Sequence, residues 1–168
     1  MIKNETDLET DMEHIIRDMK EAEYPLLADF LYEAIFIPEG AEPPPRSIIN
    51  APELRVYIED FGGQADDKAL AAEVGNKVIG AVWVRVMNDY GHIDDETPSF
   101  AISLYKEYRG QGIGTEMMKR MLAVLKAHGY RQASLAVQKA NYAVKMYRGV
   151  GFEIIGENEK EYIMVKRF

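Results

Sequence analysis

Apolar residues recur at helical spacing in two stretches of the chain, and the clearer of them covers residues 112–127. There the apolar positions lie four apart, at Ile113, Met117, Met121 and Leu125. That spacing puts them on one face of a helix, which Gly129 is suited to end. The same kind of spacing predicts a helix over residues 24–36. Helix-start signals, Asn50 with Pro52 and then Asn141, predict helices over residues 47–60 and 141–148.

Short runs rich in Val, Ile and Leu predict strands between these helices and after them. The runs cover residues 15–19, 70–74, 78–87, 99–104, 133–137, 152–155 and 162–165. Gly75-Asn76 joins the second and third runs and is a typical two-residue turn of a β-hairpin. The order β-α-α-β-β-β-α-β-α-β-β predicts a mixed α/β (α+β) fold around one sheet. We expect a single domain over residues 1–168, with residues 1–14 as a flexible extension.

The composition narrows the classes of function. The protein has 168 residues, a net charge of -8 and no cysteine. An acidic chain is not expected to bind nucleic acid, which requires a basic surface. The lack of cysteine excludes disulfides, thiolate nucleophiles and Cys-ligated zinc, and it fits a cytoplasmic location. His14, His92 and His128 are scattered, so we predict no metal. No apolar run approaches the roughly 20 residues of a membrane span, so no membrane association is expected.

A glycine-rich turn lies between the predicted strand at 99–104 and the helix at 112–127; from residue 108 it is spelled Tyr-Arg-Gly-Gln-Gly-Ile-Gly-Thr. Glycines let the backbone approach a bulky anion, and the first N–H groups of the helix point at that anion. A P-loop would need a Lys after Gly114, and a dinucleotide fingerprint would need a third glycine at Thr115. The turn therefore either binds an anion in another way or uses glycine only for its geometry.

The spacing Arg109-x-x-Gly112-x-Gly114 between a strand and a helix resembles the acetyl-CoA loop of the GNAT acetyltransferase superfamily. The resemblance implies a mixed, mostly antiparallel sheet flanked by helices, with acetyl-CoA as the co-substrate. It also implies that the turn binds the CoA pyrophosphate, largely through main-chain amides. The positions concerned are Arg109, Gly110, Gln111, Gly112, Ile113, Gly114 and Thr115.

The strand before the turn carries the next part of the resemblance. Ser103-Leu104 stands where the family often has Ala-Val at a bulge, and Lys106 stands where the family has proline. The resemblance implies that the Leu104 amide contacts the acetyl carbonyl and stabilises the charge that develops on it. A main-chain contact does not depend on these side chains, although the missing proline can alter the turn.

Residues 141–152 resemble the family's Asn…Tyr-x-x-x-Gly-Phe signature. Asn141, Tyr147 and Gly151-Phe152 match, whereas the alanine at 143 lies two places after the asparagine instead of three. The resemblance implies that Asn141 contacts the CoA arm and that Tyr147 protonates the departing thiolate, a role that suits a phenol of pKa about 10. Two alternatives stay open, because Asn141 is also an ordinary helix cap and Tyr147 could be a core aromatic.

Some members of the family carry a glutamate base about six residues before the bulge amide, a position that is Pro98 here. Glu96 lies two residues earlier, on the same face if the strand extends so far, and is our candidate base. The alternatives are that residues 88–96 form an acidic solvated loop and that solvent takes the proton. The acidic loop, together with the net charge of -8, favours a cationic acceptor, either a small-molecule amine or a protein amine. The resemblance leaves a homodimer open.

Three functions are compatible with these residues. The first is an enzyme that moves an acetyl group from acetyl-CoA to an amine by direct attack, since no cysteine could carry a covalent intermediate. The second is a non-catalytic acyl-CoA-binding or sensing module, against which the presence of Tyr147 argues. The third is an interaction protein that keeps only the fold and binds no CoA.

Overall fold

The computed structural model describes residues 13–168. Residues 1–12, most of the predicted extension, lie outside the described residues, and His14 already belongs to the first strand. The strands are β1 (His14–Asp18), β2 (Lys68–Val74), β3 (Lys77–Arg85), β4 (Ser99–Leu104), β5 (Gln132–Gln138), β6 (Glu153–Glu157) and β7 (Glu161–Arg167). The α-helices are α1 (Leu27–Ala34), α2 (Pro52–Arg55), α3 (Ile113–Ala127) and α4 (Ala143–Gly149), and 3-10 helices cover Glu21–Leu26, Arg46–Asn50 and Lys106–Tyr108.

The seven strands form one sheet in the order β1-β2-β3-β4-β5-β7-β6. Every neighbouring pair is antiparallel except β4 and β5, which are parallel. The predicted mixed, mostly antiparallel sheet flanked by helices is therefore confirmed. The hairpin at Gly75-Asn76 is confirmed as well, with φ of 54° and 67° at its two central residues, as a type I′ turn requires.

A gap opens between the two parallel strands. Ser99 and Ser134 are the one residue pair that keeps β4 and β5 in register, supported by the Ser134 N–H, which donates to Pro98 O at 3.0 Å. Both strands continue beyond that pair, to Leu104 and Gln138, without pairing to each other. The sheet is therefore split toward the carboxyl ends of its two central strands, at the place where the glycine-rich turn begins.

The two faces of the sheet carry separate apolar clusters. On one face α3 packs through the positions predicted from its periodicity, and Ile113, Met117, Met121 and Leu125 are each no more than 3% exposed. Burying a side chain of this size stabilises the fold by about 1.5–3 kcal/mol. On the other face α1 packs over β2, β3 and β4 around Trp83, whose indole N–H donates to Tyr57 O at 3.0 Å.

The helix predicted over residues 47–60 is the largest difference from the sequence-based expectation, because only a 3-10 turn and the four residues of α2 are helical there. Arg85 explains where the helix ends. Its buried guanidinium donates from Nη1 to Val56 O at 3.1 Å and to Glu59 O at 2.8 Å, carbonyls that a continuing helix would use itself. Two bonds to Asp67, each of 3.1 Å, complete this buried ion pair.

The first predicted helix also differs, because residues 24–26 belong to a 3-10 helix and the α-helix begins only at Leu27. Pro25 is the fifth residue of that 3-10 helix and has no N–H to donate. Within residues 13–168 no helix has the length and apolarity to span a bilayer.

Candidate active site

A cavity of about 720 Å³ lies at the end of β4, where the sheet is split. Its walls come from four parts of the chain: the end of β4, the glycine-rich turn with the start of α3, the start of α4, and the segment after α1. The structure brings most of the predicted site residues together here. These are Leu104, Arg109, Gly110, Gly112, Gly114, Thr115, Asn141 and Tyr147. Gln111 is exposed beside the cavity, and the Ile113 side chain lies in the core.

The glycine-rich turn presents a row of free main-chain donors. The first hydrogen bond of α3 runs from the Glu116 N–H to Gly112 O at 3.2 Å. In the part of the chain that the structure describes, the six consecutive N–H groups of residues 110–115 have no protein acceptor. Gly110 and Gly112 have φ of 76° and 83°, a left-handed conformation that favours glycine. Free donors at the positive end of a 15-residue helix form a site for an anion.

Arg109 fixes this turn in place. Its Nε donates to Leu104 O at 2.9 Å, and its Nη2 donates to both the main-chain oxygen and the carboxylate of Glu33, each at 3.2 Å. Its main-chain N–H donates to Lys106 O at 3.2 Å. The guanidinium therefore joins the turn to the end of β4 and to α1. Arg109 reaches the cavity as predicted, but most of its donors are already used within the protein.

The Leu104 amide is directed into the gap. The Tyr105 N–H donates to Ile79 O at 3.0 Å across the β3–β4 ladder. Successive N–H groups point to opposite edges of a strand, so the Leu104 N–H points away from β3 and toward the cavity. The register runs without interruption from Arg85↔Ser99 to Gly80↔Leu104, so β4 reaches this position without the expected bulge.

Gly80 is a site-forming residue that the sequence analysis passed over. A Cβ at this position would lie 2.8 Å from Ser103 O and closer still to Leu104 Cδ2. Only glycine lets β3 approach the end of β4 so closely. A glycine in the middle of a strand otherwise rich in Val and Ile was the signal that could have identified it.

Tyr147 lies on α4 and faces the cavity. Its ring contacts Phe152 edge-on, with the ring centroids 6.1 Å apart, and Phe152 packs in turn against Phe100. Burial raises the pKa of the Tyr147 phenol to about 12, with a smaller contribution from Tyr142. The hydroxyl therefore keeps its proton at neutral pH and can act as a donor. Packing against the core and access to the cavity are both present, so the core position is compatible with the acid role, which stays a prediction.

Asn141 combines a hydrogen bond at the start of α4 with a place on the cavity wall, and its contact with the CoA arm stays a prediction. Its Oδ1 accepts the N–H of Ala143, the first residue of α4, at 2.9 Å, which is the kind of bond that the capping interpretation expected. The amide nitrogen of the same side chain remains at the cavity wall, with no acceptor among residues 13–168.

Glu96 is not brought to the cavity. It is exposed in a turn before β4, and its N–H donates to Asp94 Oδ1 at 2.9 Å. Leu104 is at the other end of that strand, and the five residue steps from Ser99 alone span about 16 Å. The strand does not extend back to Glu96, so the geometry argues against its predicted role as base. This part of the acidic segment is the solvated loop that we gave as the alternative.

Asp89 is a half-buried carboxylate that the sequence analysis did not separate from its acidic neighbours. It accepts the Tyr57 hydroxyl at 2.9 Å and the Ser99 hydroxyl at 3.2 Å, and burial raises its pKa. Ser99 is the residue through which β4 pairs with β5. By accepting its hydroxyl, Asp89 stabilises the position at which the gap begins. No group of three or more acidic or histidine side chains in the described chain is arranged to hold a metal ion.

Comparison with known proteins agrees with the fold. The sequence matches the acetyltransferase (GNAT) family over residues 27–152. It is 29% identical over 87 residues to N-acetyltransferase 8F1 of Rattus norvegicus, a match that covers 51% of this chain and 39% of that protein. It is 30% identical over 81 residues to mycothiol acetyltransferase of Corynebacterium glutamicum, covering 48% of this chain and 26% of that protein. The chain thus spans less than half the length of either relative.

The fold is similar to that of a solved structure, PaiA N-acetyltransferase from Thermoplasma acidophilum in complex with coenzyme A. The TM-score is 0.69 at 19% sequence identity, and the match covers 94% of this chain and all of that one. The family match includes the glycine-rich turn, Asn141, Tyr147 and Phe152, and it extends over most of the chain. The chain belongs to the acetyltransferase (GNAT) family.

Proposed function

We propose that the cavity binds acetyl-CoA and that the protein transfers the acetyl group to a primary amine by direct attack. One observation carries this proposal. Four of the residues with free N–H groups, Gly110, Gly112, Gly114 and Thr115, border one cavity at the split of the sheet together with Leu104 and Tyr147. These groups match the pyrophosphate, the thioester carbonyl and the leaving thiolate of acetyl-CoA.

The donor would bind in an extended form along the cavity. Its pyrophosphate accepts hydrogen bonds from the N–H groups of residues 110–115, helped by the dipole of α3. Its pantetheine arm lies in the gap between β4 and β5, where the Asn141 amide can donate to it. Its thioester carbonyl then reaches the Leu104 N–H, which points into that gap.

The transfer needs a neutral amine, a polarised carbonyl and an acid. The amine nitrogen attacks the carbonyl carbon while the Leu104 N–H stabilises the oxygen. The carbon–sulfur bond breaks, and the thiolate takes the proton of the Tyr147 hydroxyl. The proton lost by the amine passes to solvent, and the Tyr147 phenolate regains a proton from solvent. Glu96 has no part in this scheme.

A non-catalytic acyl-CoA-binding module is the second candidate, and one observation favours it. Glu33 is the one carboxylate on the described cavity wall, and it is engaged by Arg109. A protein without a dedicated base could bind the donor and not turn it over. Transfer remains the preferred proposal, and it is supported by Tyr147, which borders the cavity and has a raised pKa that keeps its hydroxyl protonated at neutral pH.

The test of donor binding uses two substitutions of the same glycine. Nothing lies within 4 Å of a Cβ at Gly110, and Asn and Asp both tolerate its left-handed conformation. Gly110→Asp adds a negative charge beside the proposed pyrophosphate site, and Gly110→Asn adds the same shape without the charge. Titration calorimetry with acetyl-CoA should show binding by wild type and Gly110→Asn, and at least tenfold weaker binding by Gly110→Asp. Equal affinities for the two variants would contradict the pyrophosphate assignment.

A further inference from the structure

The last residue of α1 and the segment that follows it give the cavity an apolar wall. We use that name for the residues Ala34, Ile35, Phe36, Ile37, Ala41 and Pro43, all of which border the cavity. Residues 34–37 are only half-buried, so their side chains are in contact with the cavity and not with a closed core. Ile35, Phe36 and Ile37, which follow α1, pack against neither of the two apolar clusters of the described fold.

The apolar wall is held in a fixed shape. The Tyr32 hydroxyl donates to Pro44 O, and the Ala41 N–H donates to Pro38 O at 3.0 Å. Arg46 pairs with Asp29 and lies 5.8 Å from the Tyr32 ring centroid, which ties the end of the segment back to α1. The prolines of the segment further restrict its backbone. A preformed surface binds a ligand without first losing the entropy of a mobile loop.

The apolar wall and the glycine-rich turn lie on opposite faces of the sheet. The Ser103 hydroxyl donates to Phe30 O at 2.6 Å, which places α1 on the face of Ser103. The neighbouring Leu104 side chain points to the other face, where a Cβ at Gly114 would lie 3.8 Å from it. A donor held by α3 and a second molecule held by the apolar wall would therefore meet at the edge of β4.

The charges around the cavity disfavour a polycation. Its charged lining residues are Glu33, Lys106 and Arg109. Glu33 and Arg109 pair at 3.2 Å, which leaves Lys106 as the lining charge with no ion-pair partner among residues 13–168. The acidic loop that suggested a cationic acceptor lies outside the cavity. A positive and partly apolar site lowers the pKa of a bound amine, so it increases the neutral fraction that can attack.

We infer that the acceptor is a primary amine attached to an apolar group, aromatic or branched aliphatic, which packs on the apolar wall. This inference rests on the proposed function, because it describes the second substrate of the same site. Polyamines and aminoglycosides are poor ligands in this view, since their additional positive charges find no carboxylate partner. The bound amine loses its proton to solvent before attack, so no protein base is needed.

The first test measures binding independently of turnover. Phenethylamine, spermidine and a series of linear primary alkylamines that begins with n-propylamine are titrated into the protein saturated with CoA. Phenethylamine should bind at least tenfold more tightly than spermidine, and within linear alkylamines the affinity should rise about fourfold per methylene that becomes buried. Equal or tighter binding of spermidine, or no binding of phenethylamine, overturns the inference. A failure of the proposed function can be told apart from a failure of this inference, because it would show as no binding of acetyl-CoA or no acetylated product.

Variants of Phe36 locate the binding surface. Phe36→Ala should weaken phenethylamine binding at least tenfold, Phe36→Leu should restore most of it, and the dissociation constant of CoA should change less than twofold in both. Phe168→Ala, which removes another partly exposed phenylalanine, should change neither ligand's affinity. If Phe36→Ala weakens CoA binding and leaves phenethylamine unaffected, the apolar wall belongs to the donor site and the inference is wrong.

Discussion

Gly80 on β3 lies against Leu104 on β4 so closely that a Cβ at position 80 would overlap the Leu104 side chain. The contact connects a residue with no functional group to the amide that we place at the thioester. Gly80→Ala should push Leu104 out of position, with an overpacking cost of about 1–3 kcal/mol. A shift of this amide should lower kcat by about tenfold or more. Steady-state kinetics and thermal unfolding measure both effects.

The same substitution at another strand glycine is the control for that experiment. A Cβ at Gly156 on β6 would lie 3.9 Å from Ile163, an ordinary van der Waals contact. Gly156→Ala should therefore leave kcat and the affinity for CoA unchanged. Unaltered kcat in Gly80→Ala, with a folded protein, would show that the Leu104 amide does not take part in transfer.

The elements that were predicted correctly are those stabilised by contacts between residues close to one another in the chain. The spacing of Met117, Met121 and Leu125 predicted α3, and Gly75-Asn76 predicted the hairpin, because both depend on residues that are close in the chain. The strand from Ser99 to Leu104 was predicted with the correct bounds for the same reason.

Contacts between distant residues account for what the sequence could not predict. The end of α2 depends on Arg85, which binds Val56 O from 29 residues away. The use of Arg109 within the protein depends on Glu33, 76 residues away. Glu96 was placed by assuming a longer strand, and no local pattern marks where pairing with β5 begins. The apolar wall faces the cavity only because α1 packs on β4.

Tyr147→Phe removes the proposed acid and retains the ring that packs on Phe152. We expect kcat to fall by about 100-fold, in the usual range for loss of a general acid, while the affinity for acetyl-CoA changes little. Tyr90→Phe, at an exposed tyrosine outside the cavity lining, is the matched control and should behave like wild type. A wild-type kcat in Tyr147→Phe would remove this residue from the chemistry.

The raised pKa of Tyr147 predicts the alkaline limb of the pH–rate profile. A phenol with a pKa of about 12 stays protonated as the pH rises from 7 to 10, whereas an ordinary phenol would be half ionised near pH 10. At saturating amine, kcat should therefore show no loss up to about pH 10. Halving of kcat near pH 10 in wild type, absent from Tyr147→Phe, would contradict the raised pKa.

Glu23 predicts how stability responds to acid. Hydrogen bonds from Arg17 at 2.8 Å lower the pKa of Glu23 to about 2, below the value of a free glutamate. The ion pair therefore stabilises the fold above the pKa of the unfolded chain, near 4.3, and this contribution is lost as the pH falls toward 2. Glu23→Gln should lower the free energy of unfolding at pH 7 by about 1 kcal/mol or less. Chemical denaturation at pH 7 and pH 3 should show the difference between the proteins shrinking in acid.

The substitution Glu33→Ala distinguishes two roles of Arg109. It should weaken acetyl-CoA binding if Arg109 holds the turn in place, and strengthen it if Arg109 binds the pyrophosphate. If Arg109 acts as a clamp, Glu33→Ala loosens the glycine-rich turn and should weaken acetyl-CoA binding by about threefold or more, since a hydrogen bond to a charged group is lost. If the guanidinium binds the pyrophosphate directly, the same variant frees it and should strengthen binding.

Removing a negative charge also favours an anionic ligand, so the titration is made at physiological salt, where exposed charges are screened beyond about 8 Å. Glu59→Ala, which removes a carboxylate from the exposed pair with Arg55, is the control for the change in net charge. We expect weaker binding in Glu33→Ala alone, because the Arg109 side chain holds the turn to β4 and α1 through three hydrogen bonds.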